Sequence, residues 1–147
     1  MVDSFMHKGM RKRLVEELAT KGINDTRVLE AINSIPRHQF LDTAFVNFAY
    51  QDKAFPIGSG QTISQPYTVA FQSQLLEIKP YEKVLEVGTG SGYQAAVLDL
   101  LEADVFTIER QRELFKDTKV FLPKLGHNCR FVYGDGYKGL PKFAPFD

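Results

Sequence analysis

Three glycines fall within five residues at Gly88-Thr89-Gly90-Ser91-Gly92, directly after the apolar run Val84-Leu85-Glu86-Val87 and directly before a helical pattern from Tyr93 to Leu101. Glycine weakens regular structure, and its use in such a cluster is to supply positive φ and to let the backbone come close to a ligand. A short buried strand, a glycine turn and a helix are therefore expected in that order. The alternation continues downstream. Val105 to Ile108 reads as a second strand, Gln111 to Leu122 as a helix and Arg130 to Tyr133 as a third strand. Strands separated by helices need crossover connections, so an α/β class with a parallel sheet is expected.

In an open sheet of this kind the first strand is central and later strands lie on both of its sides. Only one wing is accounted for here, and Ala144-Pro145-Phe146-Asp147 reads as the lead-in to a fourth strand. The sheet is thus expected to be truncated after its third strand, with the first strand an apolar edge. A monomer is expected unless that edge drives association.

Upstream, Met10, Leu14, Val15 and Leu18 recur at helical spacing, and Gly22 after Lys21 offers a C-terminal cap. Asp25 is a candidate N-cap for a second helix with the apolar face Val28, Leu29, Ile32 and Ile35, stopped by Pro36. From Arg37 to Gln65 the periodicity fades into aromatics and turn formers, a loop long enough to be functional or mobile. Pro66 opens a third helix, expected to run up to Lys79-Pro80. The organisation expected is one continuous domain, with residues 1–65 a helical subdomain carrying an active-site loop and 66–147 a ligand-binding half.

Composition bounds the function. With 18 basic and 18 acidic side chains the 147-residue chain has no net charge, so no overall field draws it to nucleic acid or anionic membrane. Neither is expected as a partner. Nothing approaches the roughly twenty apolar residues of a membrane span. The single Cys129 allows no internal disulfide and has no metal-ligand spacing to a histidine, so a reducing cytoplasmic setting and no metal are expected.

Candidate ligand residues cluster at the carboxyl ends of the strands. The dinucleotide fingerprint G-x-G-x-x-G is not met, because Tyr93 holds the position of its last glycine. Glu86 precedes Gly88 by two residues, an acid that would repel a pyrophosphate. Glu109 ends the second strand and offers two acceptors suited to vicinal ribose hydroxyls. Asp135-Gly136 ends the third strand, an acceptor beside a glycine that admits a ring to the backbone; alone it is also an ordinary turn. Ser64 before Pro66 is equally suited to capping the third helix. His7, His38 and His127 share no spacing and read as surface or structural residues. The aromatics from Phe40 to Phe55 read as core before peptide groove, Lys8 to Arg13 as a solvated helix face, and Cys129 as an inert apolar residue.

The G-x-G-x-G turn with its preceding acid resembles S-adenosylmethionine-dependent methyltransferases. Gly60-Gln61-Thr62-Ile63-Ser64-Gln65-Pro66-Tyr67 closely resembles the signature of the protein-L-isoaspartate O-methyltransferase family. Pro36-Arg37, Phe55-Pro56-Ile57-Gly58, Val84 to Gln94, Ile108-Glu109-Arg110, Gly134-Asp135-Gly136 and Ala144 to Asp147 extend the likeness over nearly the whole chain in the same order. The resemblance implies a Rossmann-like class I methyltransferase fold and a repair enzyme. Such an enzyme methylates the free α-carboxylate of isoaspartyl residues in damaged polypeptides, giving S-adenosylhomocysteine as product. The ester then closes to a succinimide unaided, and hydrolysis returns some normal aspartate.

By the same resemblance Ser64 is the active-site serine, and Gln61, Thr62, Ile63 and Ser64 form the loop over cofactor and substrate. Glu86, Gly88, Thr89, Gly90 and Gly92 supply the cofactor turn, Glu109 the ribose acid, and Asp135 with Gly136 the adenine side. A small-molecule methyltransferase and a cofactor-binding fragment without activity are the alternatives, the first disfavoured by Gln61 to Pro66.

Overall fold

The computed structural model describes residues 2–147; Met1, the first residue of the expected 1–65 unit, lies outside them. Helix α1 (Phe5–Thr20) begins a turn earlier than the apolar spacing marks. Ser4 caps it, accepting from the His7 N–H, while the His7 ring accepts from the Ser4 N–H. A capping box normally closes with Glu or Gln at that position, so a histidine there hid the start. The helix ends in a Schellman motif, with Ile23 N–H bonded to Leu18 O and Gly22 N–H to Ala19 O at a Gly22 φ of 97°. Helix α2 (Thr26–Ser34) has the expected Asp25 cap and stops before Pro36.

The long segment that follows is not a loop throughout. Two short 3-10 turns, Arg37–Phe40 and Thr43–Phe48, lead into a hairpin of β1 (Phe55–Gly58) and antiparallel β2 (Gln61–Ile63). Pro56 and two glycines obscure these strands in the sequence, but Gly58, Ser59 and Gly60 all take positive φ, and the reversal needs them to do so. Helix α3 (Pro66–Leu75) opens on its proline as expected and ends short of Lys79.

The remainder alternates as expected. Strands β3 (Lys83–Val87), β4 (Asp104–Glu109) and β5 (Arg130–Tyr133) pair in parallel in the order β3-β4-β5, joined by α4 (Tyr93–Leu100) and α5 (Arg112–Lys124). β4 is buried along almost its whole length, whereas β3 is an edge strand and only half covered. At that edge Asp147 donates its N–H to Lys83 O and accepts the Lys83 N–H on its carboxylate. Phe143 and Phe146 pack against Phe106 of β4.

One hydrophobic core runs from Leu14 and Leu18 of α1 through Ile32, Phe40, Ile63 and Val69 to Val97, Val105 and Leu122. It crosses the residue 65 boundary without a break. Phe40, Tyr50 and Phe55 are buried in it as expected and Phe45 packs against it, but Phe48 is exposed; Phe40 meets Tyr93 and Phe121 edge-on. Lys8, Lys12 and Arg13 are solvated, but Arg11 is not. It is buried, paired with Asp3 and bonded to Asn33 O and the Tyr50 hydroxyl. Its partners lie too far along the chain for a helical pattern to reveal. Burial pushes the Cys129 thiol up to about 12, which fits the inert role expected of it. Among the described residues no helix is long and apolar enough to cross a membrane.

Gly92, the N-cap of α4, has φ 82°, and a Cβ there would come within 2.6 Å of Leu122 Cδ1 and 2.7 Å of Thr118 Cγ2. The position serves the close approach of α4 to α5. Gly92→Ala is expected to cost about 2–4 kcal/mol through crowding and left-handed strain, read as a lower denaturation midpoint; an unchanged midpoint would contradict this packing.

Candidate functional site

The carboxyl ends of β3, β4 and β5 and the hairpin above them enclose a cavity of about 400 Å³. Gln61 and Thr62 cover it from β2, Gly88 and Gly90 come from the turn after β3, Glu109 from the end of β4, and Asp135 and Gly136 from the turn after β5. These seven residues, chosen from sequence alone, are brought together. Sequence reasoning missed Val87, Ile108, Arg110 and Tyr137, which also line the cavity. The first three adjoin residues that were chosen, and Tyr137 follows the Asp135-Gly136 turn directly.

The glycine turn is held rigidly. Gly88 and Thr89 donate their N–H groups to Ile108 O, Gly90 donates to Glu109 Oε2 at 2.9 Å, and Gly92 donates to Thr89 O. On its other side the Gly90 carbonyl accepts from the Thr118 hydroxyl at 2.7 Å. These four turn amides are therefore bonded within the protein and not aimed at a ligand. A pyrophosphate cradle needs such amides free. Gly88, with φ 91° and open space where a Cβ would stand, presents a bare backbone face to the cavity.

The charges around the cavity are mainly negative. Buried Glu109 accepts from Gly90 and, through Oε1, from the Gln111 N–H, which fixes its carboxylate and leaves acceptor sites on both oxygens. Asp135 is exposed and caps its own turn, accepting from the Tyr137 N–H. Gly136 is needed for a different reason than expected: the place of its side chain is taken by Val87, which floors the cavity. Glu86 accepts from the Thr107 hydroxyl at 2.6 Å, and Thr107 and Thr89 hydroxyls lie 2.6 Å apart. The Glu86 residue as a whole is half-covered beside the open edge of β3, but its carboxyl is surrounded by protein, and burial pushes its pKa up to about 8, with the Glu109 charge adding to the rise.

A second, small cavity of about 60 Å³ adjoins the first and brings Ile63, Ser64, Glu86 and Thr89 to the turn. Ile63 and Thr89 are buried, and Val69 lines the same space as an apolar wall. Ser64 is exposed. It does not cap α3, whose N-cap is Gln65 without any side-chain cap. Among the described residues its hydroxyl has no hydrogen-bond partner. Gly92 lines neither cavity; its place is the packing of α4 on α5 described above.

The residues present fit S-adenosylmethionine. The Glu109 and Asp135 carboxylates at the strand ends suit ribose hydroxyls and an adenine amino group, and a turn with its amides already spent suits a ligand without phosphates. The histidines lie elsewhere. Asp3, His7 and His38 bring one ligand atom each within 4.8 Å of one another. Both oxygens of Asp3 are engaged by Arg11, and the two imidazoles stack at 3.8 Å and 21°, so their lone pairs do not converge as a metal needs. His127 is buried against Asp99 at 2.9 Å.

The sequence model of the protein-L-isoaspartate(D-aspartate) O-methyltransferase family matches residues 9–147. Among curated relatives, the protein-L-isoaspartate O-methyltransferases of Christiangramia forsetii and Flavobacterium johnsoniae are each 64% identical over the whole chain, which covers 70% of their length. A solved protein-L-isoaspartate O-methyltransferase superposes with a TM-score of 0.83 at 32% identity, over 93% of this chain and 46% of that one. A Plasmodium falciparum structure solved in complex with S-adenosyl-L-homocysteine superposes with a TM-score of 0.75 at 22% identity, over 93% of this chain and 70% of that one, a likeness of fold.

The elevated Glu86 pKa has a consequence for stability. An acid held protonated in the folded chain up to about pH 8, but ionising near pH 4.3 when unfolded, makes the folded state bind the extra proton between these limits. Its contribution to stability is therefore full at acid pH, falls as pH rises through that window and levels off above it. Glu86→Gln removes this dependence, so its melting temperature should fall less than that of the parent between about pH 5 and pH 8. Parallel melting curves would contradict the assignment.

Proposed function

The chain belongs to the protein-L-isoaspartate(D-aspartate) O-methyltransferase family, and from that we infer that it methylates the free α-carboxylate of isoaspartyl residues in damaged proteins and peptides. The methyl donor is S-adenosylmethionine. The observation that carries the reading within the structure is the cavity that joins the Gln61-Thr62 strand to Glu109 and to a glycine turn whose amides are already bonded. When bound, S-adenosylmethionine supplies a methyl group on a cationic sulfur, which a carboxylate oxygen can accept.

The chain's own residues have to bind and orient. Glu109 would hold the ribose hydroxyls, Asp135 and Gly136 would border the adenine, and Gln61 and Thr62 would lie along the cofactor. The remaining turn and loop residues, Gly88, Thr89, Gly90 and Ile63, would shape its walls, and Glu86, protonated at neutral pH, would border it as a polar, uncharged group. An α-carboxyl titrates near pH 3.5, so the substrate is already ionised at neutral pH and needs no general base. Ser64, exposed and with its hydroxyl free, donates a hydrogen bond to that carboxylate. Orientation of two reactants in this way contributes up to about 7–11 kcal/mol in favourable cases.

The test is transfer of labelled methyl from S-adenosylmethionine to an isoaspartyl peptide and to its normal aspartyl twin, made on the full product of the gene. Transfer to the isoaspartyl peptide alone is expected; equal transfer to both, or to neither, would overturn the reading. Within it, Ser64→Ala should lower kcat about tenfold or more while leaving S-adenosylhomocysteine affinity within about threefold, since it removes one hydrogen bond to a charged group. Glu109→Ala should chiefly weaken that affinity. Equal effects of both variants on both quantities would contradict these roles.

A further inference from the structure

The hydroxyl of Ser64 is free while the backbone on either side of it is not. The Ser64 carbonyl accepts from Arg37 Nη2 at 2.9 Å, and three residues on the Tyr67 N–H donates to Asp52 Oδ1 at 2.8 Å. Asp52 Oδ2 accepts from the Gln65 side chain at 3.1 Å and from Lys21 Nζ at 2.6 Å. Both charged residues come from the segment before the hairpin, which the cavity itself does not use.

Neither contact is an ordinary cap. The first amides of α3 have no acceptor within the helix, Pro66 has no N–H, and Gln65 provides no side-chain cap. Asp52 therefore does from a distance what Ser64 could have done locally, and the serine hydroxyl is left for something else. Arg37 is 0% exposed, and its guanidinium donates to Ala49 O and Lys53 O as well as to Ser64 O. It also lies 4.6 Å over the ring of Tyr93, the first residue of α4. One buried cation thus joins the end of β2 to the helix that follows the glycine turn. Burying a guanidinium among carbonyl groups, with no carboxylate bonded to it, is a costly way to fill a core.

We propose that Arg37 and Asp52 are positioning residues that grip the Ser64–Tyr67 backbone from its two ends and hold the Ser64 hydroxyl toward the substrate carboxylate. The proposal rests on the role given to Ser64 above. A serine on an unsupported surface turn would lose orientation each time the turn moved, and misplacement by about 1 Å costs on the order of 10²-fold in rate. Lys21 extends the arrangement to the end of α1, where it also pairs with Glu17. Burial opposes ionisation of Asp52, but the Lys21 ammonium and the Tyr67 N–H outweigh it and hold its carboxyl below the usual carboxylate range.

Arg37 is buried too deeply for its removal to be read without ambiguity, so Asp52 carries the test. Amide hydrogen exchange at Tyr67, kcat and KM with an isoaspartyl peptide, and S-adenosylhomocysteine affinity are measured for the parent, Asp52→Ala, Asp52→Asn and Ser64→Ala. Asp52→Ala should speed Tyr67 exchange about tenfold or more and lower kcat about tenfold or more, with cofactor affinity within about threefold. Asp52→Asn keeps an amide oxygen for the Tyr67 N–H but turns its NH2 toward the Lys21 and Gln65 donors, so it should recover part of both losses. Unchanged Tyr67 exchange in Asp52→Ala, or an Asn variant no better than the Ala one, would overturn the grip. Unchanged turnover in Ser64→Ala beside accelerated Tyr67 exchange in Asp52→Ala would instead overturn the role of Ser64 and leave the grip standing.

Discussion

The rest of the site depends on how Gly90 is held. Its N–H is bonded to Glu109 and its carbonyl to Thr118, so β4 and α5 hold the two successive peptide units that meet at Gly90. A turn with positive φ at Gly88, Gly90 and Gly92 would otherwise be the most mobile part of the fold. The same bond orients Glu109, since a carboxylate that accepts from Gly90 and Gln111 has little freedom to rotate. The cavity wall and the Glu109 carboxylate are thereby one rigid unit.

Most of that unit was legible in the sequence because its causes are local. Glycine spacing marks the turn, apolar runs mark β3, β4 and β5, and an acid at the end of β4 stands where a ribose acceptor would stand. What was not legible depends on distant partners or on exceptions to local rules. The hairpin strand Phe55–Gly58 contains a proline and a glycine, both poor strand formers, and survives by pairing and by packing Phe55 and Ile63 into the core. Arg11 lies in what reads as a basic helix face, yet its partners Asp3 and Tyr50 sit on other segments. Gly92 belongs to the turn by sequence and to the contact of α4 with α5 by structure, because nothing in a one-dimensional pattern says which neighbour a missing side chain makes room for.

Charge is distributed by the same logic. The acids gather at the strand ends, where a cationic, phosphate-free ligand fits, while the buried cations Arg11 and Arg37 are kept away from the cavity and used to join segments. Arg37 ties the 3-10 turns to β2 and α4, and Asp52 with Lys21 ties the same region to α1 and α3. The N-terminal helices are thus not a separate cover over the sheet. They share its core and hold the strand that lines its cavity.

The most direct test of this account is a crystal structure of the chain with S-adenosylhomocysteine. The account predicts the ribose hydroxyls on the Glu109 carboxylate, the adenine beside Asp135-Gly136 and the homocysteine end over Gly88 toward Ser64. A ligand lodged instead in the apolar cavity between Phe40, Phe45 and Phe121, or one whose ribose makes no contact with Glu109, would contradict it.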